Sequence, residues 1–123
     1  MFHINPNAIE PVYEQIKNQV IEYIIAGVLK PNDALPSVRN VAKDLGINPN
    51  TVSKAYTELD MMNIIYSIAG KGMFVSDNTT YNEMYLKKIK KEFSELGRKL
   101  KSFGYTNEEL IEILGGKTND WNT

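Results

Sequence analysis

Residues 36–62 hold two helix starts and one helix stop, a spacing that leaves room only for two short abutting helices. Ser37 follows Pro36 and is a good N-cap, a side chain that can accept from a free backbone N–H at a helix start. Val38, Val41, Ala42 and Leu45 then recur at steps that place them on one helical face. Gly46 stands where a left-handed residue closes such a helix. Asn48 is a second cap, and Pro49 takes the first helical position, where no N–H is needed. Val52, Ala55, Tyr56 and Leu59 share one side of a helix running to about Met62. Two capped helices joined by a tight glycine-containing turn describe a helix-turn-helix.

The flanking sequence fits around this pair. Residues 11–27 read as a helix with Pro11 at its first position and Val12, Ile16, Val20, Tyr23 and Ile24 on one apolar face. Gly27 ends it, and residues 29–36 form a turn-rich connector. Residues 64–68 are β-prone, 69–72 are a turn and 73–75 are β-prone again, which reads as a hairpin in the place of a wing. Residues 77–80 are a linker and cap. Leu86, Ile89, Phe93, Leu96, Leu100 and Phe103 then follow alternating steps of three and four, the seam spacing of paired helices. Little chain remains to cover that stripe. Gly104 ends this helix, and Thr106 with Glu109 forms a capping-box pattern opening a short helix with Leu110, Ile113 and Leu114. Gly115 and Gly116 break it, and the tail to Thr123 is expected to be mobile. The expected fold is mainly α with a small β-hairpin: a winged helix-turn-helix over residues 1–76, then two C-terminal helices forming a dimerisation tail over 77–123.

Bulk properties remove several classes. The 123 residues contain no cysteine, so disulfides and thiolate sites are absent. No apolar run approaches the ~18 residues that cross a bilayer, and the first residues lack the blocks of a signal peptide. A cytoplasmic protein without membrane attachment is expected. The net charge of -1 opposes nucleic-acid binding only as a sum. Over residues 31–75, Arg39, Lys43, Lys54 and Lys71 cancel Asp33, Asp44, Glu58 and Asp60, while seven basic residues crowd 87–101. Any DNA reader here works through helix N-termini, polar side chains and a few placed cations rather than a basic block.

The ordered set Pro11-Val12-Tyr13-Glu14-Gln15-Ile16, Gly27-Val28-Leu29, Leu35-Pro36-Ser37-Val38-Arg39, Leu45-Gly46, Asn50-Thr51-Val52-Ser53-Lys54-Ala55-Tyr56, Leu59 and Gly70-Lys71-Gly72-Met73-Phe74-Val75 resembles the GntR family of bacterial regulators. The two-helix tail resembles its YtrA subfamily, whose members lack a large metabolite-binding domain. The resemblance implies that the tail dimerises and that the protein represses transcription, often of a transporter operon. Two positions depart from the family. Asn63 stands where glycine is frequent, and asparagine is the next-best residue in a left-handed conformation. Pro49 has neutral neighbours where some relatives carry arginine.

In a helix-turn-helix the start of the second helix enters the major groove. Asn48, Asn50, Thr51, Ser53 and Lys54 occupy that region. Asparagine bonds adenine bidentately, and hydroxyls bond bases or phosphates; the plainer role for Asn48 is capping. The resemblance makes Arg39 a DNA contact, with Ser37 and the helix N-terminus holding an anion beside it; the alternative is an ion pair with Asp33 or Asp44. Gly70 and Gly72 let the wing backbone approach a sugar-phosphate edge and Lys71 enter the minor groove; the alternative is a hairpin turn needing positive φ. The lysines of 87–101 avoid the seam and read as a solvated face. Tyr13, Tyr56 and Phe74 read as core, and His3 lacks companions for a metal site.

The partners expected are double-stranded operator DNA and a second copy of the chain, each head reading half of an inverted repeat. No cofactor is expected. The short tail leaves little volume for a small-molecule pocket of the usual ~300 Å³ or more; a small-molecule effector is unknown, and the space between heads and tail is open to one. A protein-interaction adaptor is the rival reading, in which Arg39, Asn50 and Lys71 would be dispensable. Some relatives fuse this head to a pyridoxal-phosphate enzyme, but this chain has no phosphate loop, nucleophile set or acid pair of that kind.

Overall fold

The computed structural model describes residues 1–78 and 80–116. The expected mobile end of the tail, 117–123, and Thr79 of the expected linker lie outside the described residues. In order, the elements are α1 (Val12–Ile25), α2 (Val38–Leu45), α3 (Pro49–Met61), β1 (Ile65–Ile68), β2 (Gly72–Val75), α4 (Thr80–Ser102) and α5 (Asn107–Ile113). They form two compact units, Met1–Met84 and a second from Tyr85 on.

In the first unit, α1 and α2 both pack on α3, and α3 packs on β1. The core follows from the apolar spacing: Ile16, Val20, Val52, Leu59, Ile65 and Val75 are fully buried. Each such side chain contributes roughly 1.5–3 kcal/mol relative to exposure. All four apolar residues assigned to α3 are buried. On α1 the buried set is Gln15, Ile16, Val20 and Ile21, so the expected face is kept at Ile16 and Val20 and widened on both flanks, with Val12, Tyr23 and Ile24 only half-buried.

The chain upstream of α1 docks on this helix. Phe2 is buried and its ring meets Tyr23 at 6.3 Å. The buried Gln15 amide accepts from the Asn5 N–H at 2.8 Å and donates to the Asn5 and Glu10 carbonyls, each at 3.0 Å. Gln19 does the same for both backbone groups of His3. Two glutamine side chains thus satisfy backbone groups of a segment that has no regular structure.

All five helices close in one way. A residue at positive φ follows each, and the residue after that donates back to the carbonyl five positions earlier, as in Val28 to Tyr23, Ile47 to Ala42, Ile64 to Leu59, Tyr105 to Leu100 and Gly116 to Ile111. This is the Schellman closure. At four of these ends the left-handed residue is glycine; at α3 it is Asn63, with φ 58°.

Two local expectations are corrected. Pro11 is the N-cap of α1 rather than its first residue, because its ψ of 154° is extended while its carbonyl already accepts from Gln15. The connector before α2 is more than turn: Asn32 and Leu35 donate to the Val75 and Met73 carbonyls, and Val75 donates to Asp33. An isolated bridge pairs Ala34 with Phe74. β1 and β2 pair antiparallel, Ile65 opposite Val75 and Ile68 opposite Gly72. The connector therefore extends the hairpin on its β2 side.

Candidate nucleic-acid interface

The two capped helix starts are built as their sequence implies. Ser37 Oγ accepts from the Asn40 N–H at 3.1 Å, and Asn48 Oδ1 accepts from the Asn50 N–H at 2.9 Å. Neither first turn carries an acidic residue. The partial positive charge of each helix start is thus left for an external anion. Gly46, at φ 66°, reverses the chain between them, a conformation costly for most other residues.

Because Val52, Ala55, Tyr56 and Leu59 face the core, helical geometry turns the other side of α3 outward. Asn50, Ser53 and Lys54 are exposed there, as is Thr57, and Thr51 is half-buried. The Tyr56 hydroxyl donates to the Pro36 carbonyl at 2.7 Å, fixing the approach to α2 on α3. Burial raises the Tyr56 pKa, so the phenol stays a protonated donor. A groove of about 210 Å³ is lined by Val38, Ser53, Tyr56, Thr57, Asp60, Ser67 and Met73, and so brings Ser53 beside both the start of α2 and the hairpin.

Arg39 is the second residue of α2 and is exposed. Among the described residues it makes no ion pair with Asp33 or Asp44; the ion pairs there join Lys17 to Glu14 and to Glu58. Asp33 instead accepts from the Lys30 N–H within its own turn. At the hairpin tip, Lys71 is exposed and its N–H donates to the Ile68 carbonyl at 2.9 Å. Gly70 and Gly72 have φ of 76° and 109°. A Cβ at either would meet nothing within 4 Å, so the glycines serve backbone conformation and leave the tip low. Gly72 belongs to β2 rather than to the turn.

Lys54 also has a partner within the fold. Its ammonium lies 3.8 Å from the centroid of the Tyr13 ring, and Tyr13 is half-buried rather than core. Sequence reasoning missed this pair, and Lys17 beside it. The only signal would have been the facing of α1 and α3, which no periodicity within one helix reveals.

In the second unit, α4 buries none of its residues. Leu86, Ile89, Phe93 and Leu96 are exposed, and Leu100 is half-buried. Phe103 lies just beyond α4, in its closing turn, and is 73% exposed. The capping box at Thr106 and Glu109 is formed in both directions. α5 turns back so that Leu110 lies 3.9 Å from where a Cβ on Gly97 would be.

Comparison with known proteins agrees with this geometry. The description "Bacterial regulatory proteins, gntR family" matches residues 12–75. The chain is 40% identical to the HTH-type transcriptional repressor YtrA of Bacillus subtilis, over 98% of this chain and 100% of that protein. The structure of a transcriptional antiterminator from Listeria monocytogenes EGD-e superposes with a TM-score of 0.74 at 34% identity, covering 94% of this chain and 87% of the other. The DNA-binding domain of AraR in complex with operator ORX1 superposes with a TM-score of 0.54 at 26% identity, covering 61% of this chain and 93% of that domain.

Proposed function

The chain belongs to the gntR family of bacterial regulatory proteins and is a non-enzymatic, DNA-binding transcription regulator, and from that premise we propose that it is a cytoplasmic repressor binding an inverted-repeat operator as a homodimer. Residues 1–76 act as the DNA-binding head and 77–123 as the dimerisation tail. Asn50, Thr51, Ser53 and Lys54 meet the major groove, with Asn48 at its edge. Ser37 and Arg39 hold a phosphate or guanine edge at the start of α2. Gly70, Lys71 and Gly72 meet the minor groove. Leu86, Ile89, Phe93, Leu96, Leu100 and Phe103 form the seam with a second copy. The regulated genes encode a transporter, as the likeness to the YtrA subfamily implies.

The observation that carries this reading is the polar outer face of α3, which begins at an uncancelled helix N-terminus and carries no acid in its first turn. That is the surface a groove requires, since phosphate contacts position a protein and base-edge contacts specify the sequence. The AraR domain, solved on its operator, supports the DNA partner by likeness. The uncovered stripe of α4 supports the dimer. Among the described residues no helix is long and apolar enough to cross a membrane.

The test is selection of genomic fragments by the purified full chain, followed by a salt titration on the best site. The expected outcome is an inverted repeat upstream of transporter genes, bound with a steep salt dependence. Asn50→Ala is expected to weaken that site by roughly 1–3 kcal/mol and relax preference at one position. Recovery of no preferred sequence, or binding untouched by combined replacement of Arg39, Asn50 and Lys71, would favour the adaptor and refute this reading.

A further inference from the structure

We infer that Tyr13 and Lys17, both on α1, are positioning residues that keep the Lys54 ammonium available to a DNA backbone phosphate. The inference rests on the reading above that Lys54 meets DNA. Lys54 is the cation of the polar face of α3, and two rungs between α1 and α3 decide what its charge meets. In one, the Lys54 ammonium sits 3.8 Å over the Tyr13 ring. In the other, one turn further along both helices, Lys17 Nζ lies 3.2 Å from Glu58 Oε1, and also 3.1 Å from Glu14 Oε1.

Glu58 is four residues beyond Lys54, a spacing at which the two can pair along the surface of α3. Such a pair would cancel the positive charge a phosphate needs. Lys17 engages that carboxylate instead. Tyr13 then offers Lys54 a resting place that attracts the ammonium through the ring quadrupole and adds no negative charge. A lysine has three donors, so the N–H groups not turned to the ring remain for a phosphate oxygen. The ring also narrows the rotamers of a long side chain before DNA arrives, which reduces the ordering needed on binding. Lys17 itself is not the contact: its side chain is only 14% exposed, between two carboxylates.

The experiment measures equilibrium binding of the full chain to a random-sequence DNA duplex over a series of salt concentrations, because phosphate contacts are independent of sequence. Lys54→Met is expected to lower the slope of log affinity against log salt by about one. Lys17→Met frees Glu58 to reach Lys54 and is expected to lower the slope equally. Adding Glu58→Gln to Lys17→Met restores it, whereas adding Glu108→Gln, which restores the net charge elsewhere, does not. Tyr13→Leu is expected to weaken binding roughly two- to fivefold while Tyr13→Phe keeps the wild-type value. If Lys17→Met proves unfolded, the two Tyr13 variants decide: equal affinities overturn the inference. So does a Lys17→Met slope that is unchanged, or one that Glu58→Gln fails to restore. A slope unmoved by Lys54→Met refutes the phosphate contact itself, and the inference falls with it.

Discussion

Two single residues hold α3 in place, one at its C-terminal end and one at its middle. Asn63 closes α3 at φ 58°, a region where a Cβ of ordinary type costs roughly 1–2 kcal/mol. Asn63→Ala is therefore expected to lower unfolding stability by about 1 kcal/mol, and Asn63→Gly to leave it level or slightly raised. Urea unfolding reads both as shifts of midpoint at constant slope. Tyr56, in the middle of α3, ties it to the segment before α2 through its bond to the Pro36 carbonyl. Burial raises its pKa in the folded chain, while in the unfolded chain the phenol titrates near 10. As pH rises past about 10 the unfolded state releases this proton and the folded state keeps it, so stability falls with pH. Lys17 contributes with the same sign. Burial pulls its pKa down, but hydrogen bonds and charge from Glu14 and Glu58 outweigh that and leave it raised, so its stabilisation too is lost at alkaline pH. Tyr56→Phe is expected to remove about 1 kcal/mol at neutral pH and to flatten the alkaline limb of the stability curve. A limb as steep as in the parent would show that Tyr56 does not stay protonated in the fold.

At the scale of elements, the wing is held at its base and free at its tip. Leu35, Asn32 and Val75 exchange backbone bonds with their neighbours across β2, beside fully buried Ile65 and Val75. The Lys71 amide has one bond across the turn. Hydrogen exchange is expected to release the Leu35 and Val75 amides only on global unfolding and the Lys71 amide much earlier. Equal protection along the hairpin would contradict a tip held less firmly than its base. Helices and hairpin were legible in the sequence because each is marked twice, by a period and by an end signal: Ser37 and Gly46, Asn48 and Asn63, Thr106 and Gly115. The outer face of α3 was legible as the complement of its apolar face. The third edge of the wing was not. Its pairing spans a few residues directly after the Lys30 to Asp33 turn, too short for a side-chain period to show. Nor was the docking of residues 1–10, whose backbone is satisfied by Gln15 and Gln19 rather than by a regular ladder. The Tyr13–Lys54 and Lys17–Glu58 rungs escaped for a related reason: each belongs to two helices and is visible only once their facing is known.

At the scale of the whole molecule, the two units differ in how they meet water. The first closes a core of its own. The second leaves Leu86, Ile89, Phe93 and Leu96 on the surface of α4, and the short α5 reaches it near Gly97. A row of large apolar side chains at seam spacing is stable in water when another surface covers it, and a second copy supplies the same spacing. The lysines of 87–101 flank the row without interrupting it, which suits a solvated rim. In the proposed dimer the second head's encounter with DNA is intramolecular, which can raise overall affinity by roughly 10²–10⁴ without a new contact. Joint replacement of Phe93 and Leu96 by glutamate places two charges in each seam. The variant is expected to sediment as a monomer and to lose affinity for a full inverted repeat by a factor in that range, while its affinity for an isolated half-site stays level. The parent's melting temperature is expected to rise with protein concentration, as when folding is linked to association, and the variant's to stay constant. The half-site comparison is what decides the matter. A damaged head would lose both affinities together, whereas an uncoupled pair of sound heads loses only the part that coupling supplied.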